Sequence, residues 1–154
     1  MKIKGMEDGE LIVFSTVLFR CIPAFLFFST KKKRILIITT KAIYECETGL
    51  AISVRTRVPL RDLNCLAICT AAADVFAILP RGGLHDFLYQ TMRRTEFVAH
   101  LMQCYETEVG QPLKLRFMQS ILLTMEDGEV KSELMLAVLH KNASSCDVVR
   151  PFLF

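Results

Sequence analysis

This 154-residue chain has no complete set of metal ligands. Its three histidines, His85, His100 and His140, stand far apart. Its six cysteines, Cys21, Cys46, Cys65, Cys69, Cys104 and Cys146, include no C-x-x-C pair, and the Cys65/Cys69 spacing has no second half. That argues against a zinc module and leaves the thiols as small buried groups in a reducing compartment. A nucleophile elbow and a phosphate-cradling glycine loop are also missing. Arg81-Gly82-Gly83 is too short for such a loop, and His85-Asp86 has no nucleophile beside it. The expectation is therefore no enzyme and no cofactor. Nucleic-acid binding calls for a longer basic stripe or stacking aromatics beside it, so it is not expected either.

Charge is scarce as well. The formal net charge is +3, too small to steer a partner unless it is clustered. Hydrophobic residues reach 52% and charged residues only 23%, which rules out a disordered chain. Mean hydropathy is +0.36, high enough to imply a membrane contact or a partner that covers apolar surface. The longest apolar run, Leu11 to Phe28, just reaches the minimum length for a span. However, Arg20 stands in its middle, Pro23 follows, and Glu7, Asp8 and Glu10 precede it. A central arginine is costly in lipid, and an acidic lead is the wrong flank for a signal peptide. A strand, a turn and a second strand are expected there instead.

What the chain does have is one tight basic cluster, Lys31-Lys32-Lys33-Arg34, which opens directly into an apolar β-branched run. Around it the pattern reads as short strands. Leu11–Arg20 is the first, broken by Cys21-Ile22-Pro23-Ala24. Arg34–Thr40 is the second, apolar on both faces and so central or covered. Ala42–Glu47 is the third, ended by the Thr48-Gly49 turn. Ala51–Val58 alternates, with Ile52, Val54, Thr56 and Val58 on one face and Ser53, Arg55 and Arg57 on the other. Cys65–Thr70, Asp74–Leu79 and Asp86–Thr91 complete seven strands, spaced as in a sandwich or barrel.

The period then changes to helical: Phe97, Val98, Leu101, Met102, Tyr105 and Val109 form one stripe. Thr95 is the expected cap, and Gly110 and Pro112 the stop. His100 falls opposite much of the stripe and should be exposed. Leu113–Phe117 alternates again, and Ile121–Met125 with the turn 126–129 suggests a hairpin. Residues 130–141 fit a strand or a short helix. The expected architecture is mainly β with one long helix: a partly open seven-stranded barrel capped by the helix, with extra C-terminal strands. Residues 1–10 form a flexible lead, 11–125 the domain and 126–154 an extension.

Seven strands followed by one helix is the order of the pleckstrin-homology fold. Arg34-Ile-Leu-Ile-Ile-Thr-Thr-Lys-Ala-Ile-Tyr44 resembles the R-x-L-L-L-T-x-x-A-x-Y stretch of the myosin tail homology domain of class I myosins. Ile12-Val13-Phe14 resembles its opening strand, and Val58-Pro59-Leu60-Arg61-Asp62-Leu63 its I-P-L-x-x-I turn. Arg94-Thr95-Glu96-Phe97-Val98 resembles its K-T-E-F-V helix start, and Gly110–Phe117 its G-x-x-L-x-V-x-F strand. The resemblance spans about residues 11 to 125 and includes no motor.

That resemblance implies reversible binding to anionic, phosphoinositide-containing membranes, with a cytoplasmic, peripheral location. It places the basic contacts at Arg20, then at Lys32 and Arg34. Lys31, Lys33, Lys41, Arg55 and Arg57 are the further candidates, and Arg55 and Arg57 either extend the patch or sit in water. Each Lys or Arg at an anionic surface contributes roughly 1 kcal/mol, so two or three facing it give weak binding alone. Where the family carries a polar, basic loop, this chain has Phe25, Leu26, Phe27 and Phe28, which either insert into a bilayer or belong to the core. The alternative is a protein-interaction module on the same fold. It would bind a peptide along a barrel edge or against the helix, using apolar surface near Phe25–Phe28 or Phe152-Leu153-Phe154.

Overall fold

In the computed structural model, residues 6–23, 29–49, 52–82, 87–127 and 130–137 are described. Seven strands precede the helix: β1 (Ile12–Pro23), β2 (Ser29–Thr39), β3 (Ala42–Glu47), β4 (Ser53–Pro59), β5 (Leu63–Cys69), β6 (Val75–Pro80) and β7 (Phe87–Gln90). The helix is α1 (Arg94–Val109), and β8 (Lys114–Met118), β9 (Ser120–Asp127) and β10 (Val130–Ala137) follow it. One eight-stranded sheet runs β4-β3-β2-β1-β7-β6-β5-β8, and β9 and β10 form a separate antiparallel hairpin. The fold is the mainly-β, helix-capped, open barrel expected from the sequence, with one addition. β8 joins the main sheet, parallel to β5, with Leu66 opposite Leu115 and Ile68 opposite Phe117.

The curled sheet has a gap between β4 and β5, bridged by a short turn of helix, Leu60–Asp62. α1 fills that gap. Its buried residues Phe97, Leu101, Cys104 and Tyr105 enter a single core with Phe14, Leu18, Leu36, Ile38, Leu60, Leu66 and Phe76. Arg61 bonds Glu108 at 2.7 Å across the seam. Gly110 ends the helix in the left-handed region, at φ 77°, where a side chain would be strained. Among the described residues, no helix is long and apolar enough to cross a membrane. Cys21, Cys46, Cys65, Cys69 and Cys104 are all buried free thiols.

Four local expectations are corrected. Cys21–Pro23 does not break β1, which continues to Pro23 paired with Ser29. The β7 ladder has already ended at Cys21, so the missing proline N–H falls where the second side needs no donor. β2 begins at Ser29, so Lys31–Lys33 lie within a strand and not before it. The helix N-cap is Arg93, not Thr95; it has no side-chain cap bond and pairs with Glu96 at 2.6 Å. His100 is half-buried and stacks on Phe14, with ring centroids 4.8 Å apart, so it is not an exposed histidine.

The polar lead is tied down from Met6 onward. Met6 and Ile12 pack on an outer cluster of Ile37, Ala42, Tyr44 and Cys46. Glu10 is buried; it accepts hydrogen bonds from the Thr39 hydroxyl, from the Tyr44 phenol at 2.9 Å and from the Glu7 N–H at 2.9 Å. Burial pushes its carboxyl up, but these donors and the nearby Arg57 charge together hold it below its ordinary 4.5. The stability that Glu10 contributes is therefore present above pH 4.5 and lost as pH falls through the lowered folded value. Glu10→Ala should lower unfolding free energy by on the order of 2 kcal/mol at neutral pH, because it removes a buried acceptor shared by Thr39, Tyr44 and the Glu7 N–H. Urea titrations across acid pH should also show a flatter acid limb in that variant.

Candidate functional site

The open end of the barrel is where the pairing register gathers charge. Residues opposite one another across an antiparallel pair share a face. Arg20 faces Lys32, and Leu18 faces Arg34, so all four lie on the same face of β1 and β2, with Lys32 exposed at its open end. On the next strand Glu45 lies opposite Leu36 and Glu47 opposite Arg34. Tyr89 of β7 lies opposite Arg20. The family-like trio of Arg20, Lys32 and Arg34 is thus brought together, with a carboxylate already among it.

That carboxylate is Glu45. Arg20 donates through Nη1 to both of its oxygens, at 3.0 and 2.9 Å, and Tyr89 donates its hydroxyl at 2.6 Å. Arg34 Nε stands 3.4 Å from Glu45 Oε1, and its Nη2 lies 3.4 Å from Glu47 Oε1. Arg34 is buried, and its Nη1 donates to the Lys33 carbonyl at 2.9 Å. Its Nε has no hydrogen-bond partner. Arg20 also lies over the Phe87 ring at 4.8 Å. Burial, and then the charge of Glu45, pushes the Tyr89 phenol well above its ordinary value, so it stays a donor.

The other candidates are placed separately. Lys32 and Lys33 are exposed and Lys31 is half-buried. Lys33 lies opposite Phe19, and Lys31 opposite Cys21, on the outer face; Lys32 points toward the mouth. Arg55 bonds Glu47 at 2.5 Å. Arg57 bonds Glu7 at 2.6 Å and the Tyr44 hydroxyl at 2.9 Å. Lys41 pairs with Glu7 at 3.4 Å. Arg55 and Arg57 therefore serve different places, not one shared face. The cause is a bulge in β4 opposite Glu45–Cys46, whose extra residue shifts the alternation. The same shift puts Val54 against the outer cluster and Val58 in the core. Phe25, Leu26, Phe27 and Phe28 lie outside the described residues, as do Phe152-Leu153-Phe154.

Sequence reasoning missed Glu45 and Tyr89. Their signal was present: a carboxylate inside the apolar run Ala42–Cys46 needs a buried cation. It also missed Arg94, whose Nη1 donates to the carbonyls of Cys69, Ala72 and Val75 and so fastens the β5–β6 turn to the helix. Among the described residues, no group of carboxylates, histidines and cysteines is arranged to hold a metal ion.

With this geometry in view, the comparisons with known proteins fall into place. A family model described as "Unconventional myosin tail, actin- and lipid-binding" matches residues 1–147. No curated protein sequence matches. Among solved structures, the linker-DH/PH region of p115-RhoGEF aligns at TM-score 0.54 and 7% identity, over 64% of this chain and 30% of that one. The chain thus spans 30% of that structure's length. The hSac2 domain of the human phosphoinositide phosphatase Sac2 aligns at TM-score 0.54 and 14% identity, over 73% and 80%. The N-terminal PH domain of human ARAP2 aligns at TM-score 0.52 and 11% identity, over 72% and 92%. At these identities the likeness is one of fold: a pleckstrin-homology-like barrel.

Removing the central carboxylate should cost stability. Glu45→Ala leaves two guanidinium groups short of their partner, and urea unfolding should show a loss of about 3 kcal/mol. Tyr89→Phe should cost less at neutral pH. The Tyr89 contribution is present below its ordinary value of 10.0 and is lost as pH rises through the raised folded value. The variant should therefore lose less stability than the parent at strongly alkaline pH, as measured by thermal melts.

Proposed function

The chain belongs to the unconventional myosin tail family, described as actin- and lipid-binding, and from that premise we propose that it binds anionic phospholipid membranes reversibly through the opening of β2. Phosphoinositides are among the lipids this reading includes, and the module works as a non-catalytic, cytoplasmic membrane adaptor. The observation that carries the proposal is the run Lys31-Lys32-Lys33, placed within a strand at the barrel mouth with Lys32 and Lys33 exposed.

Arg20, Arg34, Lys41, Arg55 and Arg57 play a supporting part. Each already meets a carboxylate of this chain: Glu45, Glu47, Glu7 or Glu10. An approaching phosphate has to compete with Glu45 for Arg20 and Arg34. The lysines carry the attraction, and the arginines shape the field behind them. This favours an attraction set by surface charge over a tight, shape-specific grip on one headgroup.

The protein-partner reading on the same fold finds less support at the β5 edge. There β8 occupies the place where a peptide strand would add. The main sheet's edges are β8 and β4, and β4 ends in Pro59 and carries Arg55 and Arg57, features that discourage strand addition.

Co-sedimentation with phosphatidylserine-containing vesicles tests the proposal. Two lysines at roughly 1 kcal/mol each predict that Lys32→Ala with Lys33→Ala weakens binding about thirtyfold. Raised salt should weaken the parent likewise, and neutral phosphatidylcholine vesicles should bind neither protein. Equal binding by parent and double variant would overturn the assignment of these lysines.

A further inference from the structure

We propose that the outer face of β1, with Met92 beside it, is a bilayer-docking face that lies against the membrane while the lysines of β2 hold the headgroups. This rests on the lipid reading above and adds where, and by what second force, the contact is made.

The observation is a concentration of exposed apolar side chains. Of the seven large hydrophobics exposed among the described residues, three lie together here: Val17, Phe19 and Met92. Val17 and Phe19 flank the core residue Leu18, so the pleat of β1 turns them outward together. A soluble strand with one wet face normally carries polar residues there. On β1 that face presents Val17 and Phe19, with Ser15 the one polar residue before them. Val17, Phe19 and Met92 also wall an open groove of about 520 Å3 that reaches Lys31 and Arg93.

Charge identifies the occupant. Lys33 lies directly opposite Phe19, and Lys31 opposite Cys21, on the same outer face. The groove's one carboxylate, Asp74, is engaged by Gln90 at 2.6 Å, and the nearby Glu96 by Arg93. Apolar side chains rimmed by lysines suit an anionic bilayer. Either signal alone binds a membrane marginally, whereas an apolar insertion joined to a basic patch anchors it. The barrel mouth offers no such pairing, because its arginines face Glu45.

The chain contains no tryptophan, so Phe19→Trp introduces a single reporter at an exposed position. On adding phosphatidylcholine–phosphatidylserine vesicles, F19W emission should shift to the blue and be quenched by brominated acyl chains. Phe117→Trp, on the exposed side of β8 at the far edge of the sheet, should do neither. The combined variant Val17→Ser, Phe19→Ser and Met92→Ser should melt like the parent and bind these vesicles at least about tenfold more weakly. If F19W co-sediments with the vesicles but its emission is unshifted and unquenched, the docking face is overturned and the lipid reading stands. If neither the parent nor F19W binds anionic vesicles, both fail. If F19W emission shifts with protein concentration in the absence of lipid, the face is a contact between copies of the chain, which also overturns the proposal.

Discussion

The carboxylate of Glu45 is the constraint around which the barrel mouth is built. It is buried, so it needs partners, and the strand register supplies them from three directions: Arg20 on β1, Arg34 on β2 and Tyr89 on β7. These strands sit side by side at the point where the first four strands join the last. The same contact therefore stabilises the junction and sets the electrostatics of the opening. Two cations that a headgroup would seek are drawn inward, and the remaining positive character shifts to Lys31, Lys32 and Lys33.

That shift connects the mouth with the outer face of β1. A pleated strand sends alternate residues to opposite sides, so the run of cations divides: Lys32 and Arg34 face the mouth, Lys31 and Lys33 the outside. The outward lysines adjoin the exposed side chains of Val17 and Phe19. In the proposed membrane contact, weak Coulomb attraction and modest apolar insertion, each marginal alone, act side by side. This arrangement fits a module that attaches reversibly, in a family described as lipid-binding.

Much of the fold was legible because its signals are local. Strand alternation, the Thr48-Gly49 turn, the helical stripe from Phe97 to Val109 and the Gly110 stop depend on neighbours in sequence. The errors came where distant residues decide. Pro23 reads as a strand breaker, yet it is tolerated because the ladder with β7 has already ended at Cys21. Thr95 reads as a cap, but the chain enters the helix earlier, where Arg93 and Glu96 pair. Arg55 and Arg57 read as one face until a bulge opposite Glu45–Cys46 divides them. In the site, the basic trio was visible as a motif. Its internal counterion was not, since Glu45 meets Arg20 only across 25 positions of chain. Glu10 was hidden for the same reason: a polar lead gives no local sign that Tyr44 will receive it.

The central claim is that the chain meets an anionic membrane along β1 and the opening of β2, not across the sheet's far edge. Paramagnetic broadening of backbone amide signals, with the chain bound to anionic nanodiscs carrying a lipid-borne spin label, reads this residue by residue. The account predicts that Val17 to Phe19, Lys31 to Lys33 and Met92 broaden first, while Lys114 to Met118 stay sharp. Broadening centred on β8 or on the exposed side of α1, with those three stretches unaffected, would contradict it.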